Sequence, residues 1–156
     1  MHTTAPLALA NAVAPEMMRQ GWGRIVNVTT SLGTMLNPGS PTYGPSKAVL
    51  EALSAIMAKD LDGTGVTVNV LVPGGVTDTP MISDEAGFDR AKLIQPEVMV
   101  PPLLWLLSDA AGKVTGRRFL GVHWDAALPP EQAAEKAGAR VAWTSIATMP
   151  ITPSRS

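Results

Sequence analysis

The sequence predicts an α/β fold, a parallel sheet of about three strands with flanking helices. Two short runs rich in β-branched residues, Ile25-Val26-Asn27-Val28 and Val66-Thr67-Val68-Asn69-Val70-Leu71-Val72, are nearly continuous in apolar character. Such runs suit strands buried on both faces of a parallel sheet. Longer segments of helical length stand before, between and after them, and a third candidate strand lies at 114–122, after the last of these. Strands alternating with helices imply parallel pairing through right-handed crossovers.

Taken in order, a helix is predicted over 4–19. Its segment 5–14 is apolar but lacks a basic flank and is far shorter than the ~20 residues a membrane span needs, so it reads as a core helix. Gly21-x-Gly23 connects it to a strand over 24–28, which ends in the hydroxyl-rich loop Thr29-Thr30-Ser31-Leu32-Gly33. A second helix is expected over 43–61, closed by Gly63-x-Gly65, and a strand over 66–72 broken by Pro73-Gly74-Gly75. Neither glycine pair follows a strand and opens a helix, so both are connections and not phosphate loops.

The segment 81–94 is polar, with Asp84, Glu85, Asp89 and Arg90, and reads as a solvated loop or short helix. A further helix over 96–109 contains Pro101 and Pro102, which kink it or mark its start; Leu103, Leu104, Leu106 and Leu107 are expected on the sheet. In the last strand, Arg117 and Arg118 suit a sheet edge or a subunit contact, with solvated arginines the simpler reading. Residues 126–156 read as a tail after a domain spanning 1–125, with an alanine-rich helix near 131–138 and an irregular end rich in Ser, Thr and Pro. Trp124 and Trp143 are expected to cover the core.

At 156 residues and 46% hydrophobic, the chain can bury one small core. A formal net charge of −1 lacks the clustered excess of Lys and Arg that a nucleic-acid footprint requires. The absence of cysteine excludes a disulfide framework and a thiolate metal site, and two histidines far apart form no ligand cluster, so no metal is expected. The composition fits a cytoplasmic protein.

Chemistry enters at Tyr43 and Lys47, in Pro41-Thr42-Tyr43-Gly44-Pro45-Ser46-Lys47. Positions i and i+4 share a helix face, so the ammonium can lie near the phenol and favour its ionised form. A tyrosine so placed can act as general acid or base on an alcohol or carbonyl oxygen. The hydroxyl loop before this helix and the Pro-Gly turn after the next strand arrive in the order strand, loop, helix, strand.

Together these residues resemble the short-chain dehydrogenase/reductase family, nicotinamide-dependent enzymes on a Rossmann fold, over about residues 2–125. The resemblance implies a partial Rossmann domain, a doubly wound parallel sheet. It assigns Tyr43 as the catalytic tyrosine and Lys47 as the lysine that also holds the nicotinamide ribose. With Gly33 setting the register, the family's serine falls on Thr30, whose hydroxyl would hold the substrate oxygen; Ser31 replaces it if the loop shifts by one residue. Pro73, Gly74, Val76 and Thr79 match the loop that bonds the nicotinamide carboxamide, and residues 81–94 fall where the family carries a mobile substrate lid. A family asparagine falls on His2, which at the chain start is expected to fray.

The family's first strand, glycine-rich turn and pyrophosphate-binding helix have no counterpart in these residues. The resemblance therefore implies only the nicotinamide half of an NAD or NADP site, and leaves an open edge on the strand over 24–28. Two functions follow. One is an NAD(P)-dependent oxidoreductase interconverting a small-molecule alcohol and carbonyl. The other is a truncated, catalytically inactive remnant or assembly subunit. The helices over 4–19 and 43–61 form the usual dimer interface in relatives, so a homo-oligomer or association with a full-length relative is expected, without nucleic acid or membrane.

Overall fold

The computed structural model describes residues 2–143. The elements run α1 (Thr4–Gln20), β1 (Gly23–Val28), α2 (Tyr43–Asp60), β2 (Val66–Val72), α3 (Val100–Leu107), β3 (Arg117–Leu120), α4 (Pro130–Ala137) and β4 (Gly138–Arg140), with short 3-10 turns between them. The sheet order is β1-β2-β3-β4. β1 and β2 pair in parallel from Gly23↔Val66 to Val28↔Leu71, and β2 and β3 in parallel from Val70↔Arg118 to Val72↔Leu120. The expected partial doubly wound α/β architecture is what forms, with a fourth strand added: β4 pairs antiparallel with β3 through Arg118↔Ala139.

β2 is buried at all seven positions, as an apolar run covered on both faces must be. On one face Val66 and Val68 pack with Ala58 and Leu61 of the α2 end and with Ala14 and Met17 of α1. On the other, Leu71 and Phe119 pack with Leu106 of α3 and Ala134 of α4, and Trp105 and Trp124 close over them. Val70, Val72 and Val141 form a third cluster beside Ala55, so residues beyond 125 contribute to the core as well as to the sheet.

Five local expectations are corrected. α1 does not sit inside the core along its apolar stretch: Ala10 is its only buried residue, and Leu9 and Val13 are exposed. A helix lying on one face of a sheet buries only a stripe, however apolar its remaining surface. The helix expected over 96–109 begins as a 3-10 turn, Pro96–Met99, and becomes α-helical only at Val100, where prolines in the first turn need no intrahelical donor. In α3, Leu106 is buried, but Leu104 and Leu107 are exposed because they lie off the sheet-facing stripe. Trp143 is exposed.

Arg118 is the fifth. It is buried and paired with Glu51, its Nε 3.0 Å from Oε1. β4 covers the edge that would have left β3 open to water, so the guanidinium is enclosed and takes an internal carboxylate. The irregular end expected after Trp143 lies outside the described residues.

Two glycines mark where backbones must approach. Gly65 has φ +84°, and a Cβ there would overlap the Gly21 carbonyl; the two connections expected from the glycine pairs therefore pack on each other. Gly44, in the first turn of α2, leaves no room for a Cβ against the carbonyl of Met35, in the 3-10 turn Thr34–Leu36. That contact sets the distance between α2 and the loop that follows β1.

Candidate active site at the carboxyl ends of the parallel strands

A cleft of about 430 Å³ opens where β1 and β2 end and α2 begins. In an open parallel sheet this is where loops diverge and ligands bind. Its walls bring together residues from four segments: Val28 at the end of β1 with Thr30 and Ser31 after it, Tyr43 and Lys47 of α2, Pro73, Val76 and Thr79 after β2, and Met81, Ile82 and Met99 beyond. Of the catalytic and cofactor-binding residues the resemblance assigns, Gly74 alone is not in the wall. It adopts φ +113°, a Cβ there would run into Val122, and Val122 N–H donates to Pro73 O at 3.0 Å. Gly74 therefore acts behind the wall, pinning the Pro-Gly turn to the end of β3.

Tyr43 is half-buried at the start of α2, and Lys47 one turn later is 9% exposed. The Lys47 ammonium lies 5.8 Å from the centre of the Tyr43 ring and donates to Val28 O at 2.9 Å. Burial pushes the Lys47 pKa below the ordinary lysine value. An ammonium has three donors, so two remain for groups entering the cleft. The rings of His2, which is exposed, and Tyr43 meet in a T-shaped arrangement with centroids 5.8 Å apart.

Thr30 and Ser31 differ in their commitments. Ser31 Oγ lies 2.6 Å from Thr34 Oγ1 and accepts from Thr34 N–H at 3.3 Å, closing the turn that leads to Met35. Thr30 uses its carbonyl, which accepts from Arg118 Nη2 at 3.1 Å. Thr79 Oγ1 makes only a long contact, 3.5 Å, to Thr77 O.

Sequence reasoning missed the layer beneath. Along its inner face α2 presents Lys47, Glu51 and Ser54, all buried, and each bonds a successive residue of β1 and its exit. Ser54 Oγ accepts from Asn27 Nδ2 at 2.9 Å, Lys47 donates to Val28 O, and Glu51 Oε2 accepts from Thr29 Oγ1 at 2.7 Å. Polar residues at 47, 51 and 54, continuing the stripe from Tyr43, were the available signal: helical spacing puts them all toward the sheet. The segment expected to form a lid is fastened at its base, where Asp78 N–H donates to Ile94 O at 2.8 Å and Ile94 N–H to Val76 O at 3.1 Å. Arg90 ties its interior by ion pairs to Asp78 and Asp84. Among the described residues no three His, Cys, Asp or Glu side chains gather as a metal site, and no helix is long and apolar enough to cross a membrane.

The short chain dehydrogenase family model matches residues 1–87. A curated relative, 3-oxoacyl-(acyl-carrier-protein) reductase FabG of Haemophilus influenzae, is 32% identical over 121 residues, covering 72% of this chain and 50% of that protein. Among solved structures, a short chain dehydrogenase from Salmonella enterica serovar Typhi superposes with a TM-score of 0.69 at 28% identity, over 77% of this chain and 49% of that one. A candidate NAD(P)-dependent gluconate 5-dehydrogenase from Beutenbergia cavernae, solved with bound NADP, gives 0.63 at 30% identity over 76% and 51%. The chain spans about half the length of the curated relatives it matches. The match over more than half of this sequence, together with the strand-end cleft holding Tyr43 and Lys47, establishes that the chain belongs to the short chain dehydrogenase family.

Proposed function

We propose that this chain carries the proton-transfer site of an NAD(P)-dependent oxidoreductase that interconverts an alcohol and a carbonyl. The observation that supports this reading best is the convergence of Tyr43, a buried Lys47 and Thr30 on one cleft. In the reducing direction the Tyr43 hydroxyl donates its proton to the substrate oxygen, and the Lys47 ammonium stabilises the phenolate that remains. Thr30 Oγ1, free of the turn bonding that occupies Ser31, donates a hydrogen bond to the same oxygen and fixes its position. In the oxidising direction Tyr43 takes the proton back.

The cleft fits the nicotinamide end of a dinucleotide. Lys47 has donors to spare for ribose hydroxyls, Thr79 Oγ1 is weakly engaged, and the backbone of Val76 lines the same wall. A nicotinamide held there would supply the hydride donor or acceptor that the substrate carbon requires. The other walls, from Val28, Val72, Met81, Ile82 and Met99, are apolar. They suit a substrate with an aliphatic body, a class that includes the 3-oxoacyl group named for the Haemophilus influenzae relative.

The outer edge of β1 carries no strand among the described residues. That edge favours a second reading, in which the chain alone lacks cofactor affinity and acts only with a partner that completes the sheet. Exposed apolar residues on α1 (Leu9, Val13) and α2 (Val49, Ile56) support self-association or association with a longer relative through those helices.

The deciding experiment is titration of the purified 156-residue chain with NADPH and NADH by fluorescence, followed by turnover with an aliphatic ketone. Binding, with turnover abolished by Tyr43→Phe, supports the oxidoreductase reading. No binding by the chain alone, with binding restored by a longer relative, supports the second; no binding under either condition refutes both.

A further inference from the structure

Among the described residues, the Glu51–Arg118 pair is the most enclosed charged pair, at 0% and 7% exposure. Four hydrogen bonds meet there, one of them the pair's own contact. Glu51 Oε2 accepts from Thr29 Oγ1 at 2.7 Å, Glu51 Oε1 accepts from Arg118 Nε at 3.0 Å and from Ala142 N–H at 3.1 Å, and Arg118 Nη2 donates to Thr30 O at 3.1 Å. These bonds join α2, β3, the segment after β4 and the exit of β1. Glu51 lies one helical turn from Lys47 and two from Tyr43, on the same face.

We infer that Glu51 and Arg118 are positioning residues for the hydroxyl loop: together they grip Thr29 by its side chain and Thr30 by its carbonyl, holding the Thr30 hydroxyl toward Tyr43. The inference deepens the oxidoreductase reading and rests on it for its catalytic meaning. Two considerations favour positioning over simple stabilisation. A buried ion pair is a poor source of net stability, since well-packed apolar residues of similar volume often do as well. This pair also spends its bonds on consecutive residues of the loop beside the cleft. The cost of reaching it is visible at Ala142, the only described non-glycine residue with positive φ, at +60°. The backbone there takes a conformation that places its N–H on Glu51, so the chain after β4 becomes part of the support of a site formed more than ninety residues earlier.

The test uses the full 156-residue chain. In the double variant Glu51→Leu/Arg118→Met, which replaces the pair by apolar groups, amides of 29–34 are expected to exchange at least about tenfold faster while those of β2 keep their protection. Unchanged exchange at 29–34 in a folded double variant overturns the inference. If that variant fails to fold, Thr29→Val removes a single hydroxyl at nearly constant volume; the same local loosening is expected, with Thr29→Ser restoring protection. Absence of loosening in Thr29→Val overturns the inference independently. Where the chain turns over substrate, Thr29→Val is expected to lower kcat about tenfold or more, with KM for NADPH changed less than about twofold and Thr29→Ser recovering the rate. A rise in KM with unchanged kcat contradicts positioning. Lack of turnover in the parent chain bears on the oxidoreductase reading, and the exchange data still decide the positioning role.

Discussion

Gly44→Ala offers a direct test of how the fold spaces the site. In an unconstrained helix interior this change stabilises by about 1 kcal/mol, through alanine's higher propensity and the smaller entropy of the unfolded chain. Here the opposing contribution is steric. A Cβ at Gly44 would overlap the Met35 carbonyl oxygen and lie 2.9 Å from its carbonyl carbon and 3.3 Å from its Cα. Optimal carbon contacts are about 3.5–4.0 Å, so the Thr34–Leu36 turn must retreat by roughly 1 Å. The obstacle is backbone, held by Met35 N–H to Ser31 O at 3.2 Å and Leu36 N–H to Gly33 O at 3.0 Å, and cannot swing aside as a side chain would. Overpacking of this kind costs about 1–3 kcal/mol. The expected net effect is destabilisation of up to about 2 kcal/mol, seen as a lower urea midpoint at unchanged slope, and a fall in Tm of roughly 2–4 °C per kcal/mol. Because Ser31 and Thr34 move with Met35, the cleft widens, and displacement by about 1 Å in such a site can cost about a hundredfold in rate. A urea midpoint at or above that of the parent protein would refute the reasoning.

Three further outcomes follow from individual contacts. Burial depresses the Lys47 pKa, so between its folded value and the ordinary lysine value of about 10.4 the unfolded chain binds more protons and stability rises with pH; urea midpoints from about pH 8 to about pH 10.5 are expected to show this rise relative to Lys47→Met, and parallel curves would exclude it. Asn69, 1% exposed, donates to Val114 O at 2.6 Å and accepts from Arg117 N–H at 3.1 Å. Asn69→Leu strands both groups at about 1–3 kcal/mol each, giving a Tm drop of roughly 5–15 °C by calorimetry. Arg90→Ala breaks only exposed ion pairs and is expected to lower global stability by less than about 1 kcal/mol, while hydrogen exchange accelerates across 79–93; a large loss in thermal unfolding would show that this segment is structurally coupled to the core.

What sequence alone determined here is local and periodic. An uninterrupted apolar run specifies β2 because a strand covered on both faces needs no alternation. The four-residue spacing of Tyr43 and Lys47 puts both on one helix face because about 3.6 residues complete a turn. Glycine pairs read as connections remain connections, because their backbones carry positive φ at Gly21 and Gly65.

Tertiary structure decided what depends on partners distant in the chain. Arg118 resembled a solvated arginine until β4 closed over its edge and Glu51, 67 residues away, became its partner. Leu104 and Leu107 have the same side chain as Leu106, yet only the face turned to the sheet is buried, and a step of one or two residues around the helix decides which. Lys47 could be aligned with Tyr43 from spacing, but that its ammonium would be held by the Val28 carbonyl required the register of α2 on β1. That register is set by buried polar bonds, and a buried polar group takes whichever complementary atom the assembled core supplies.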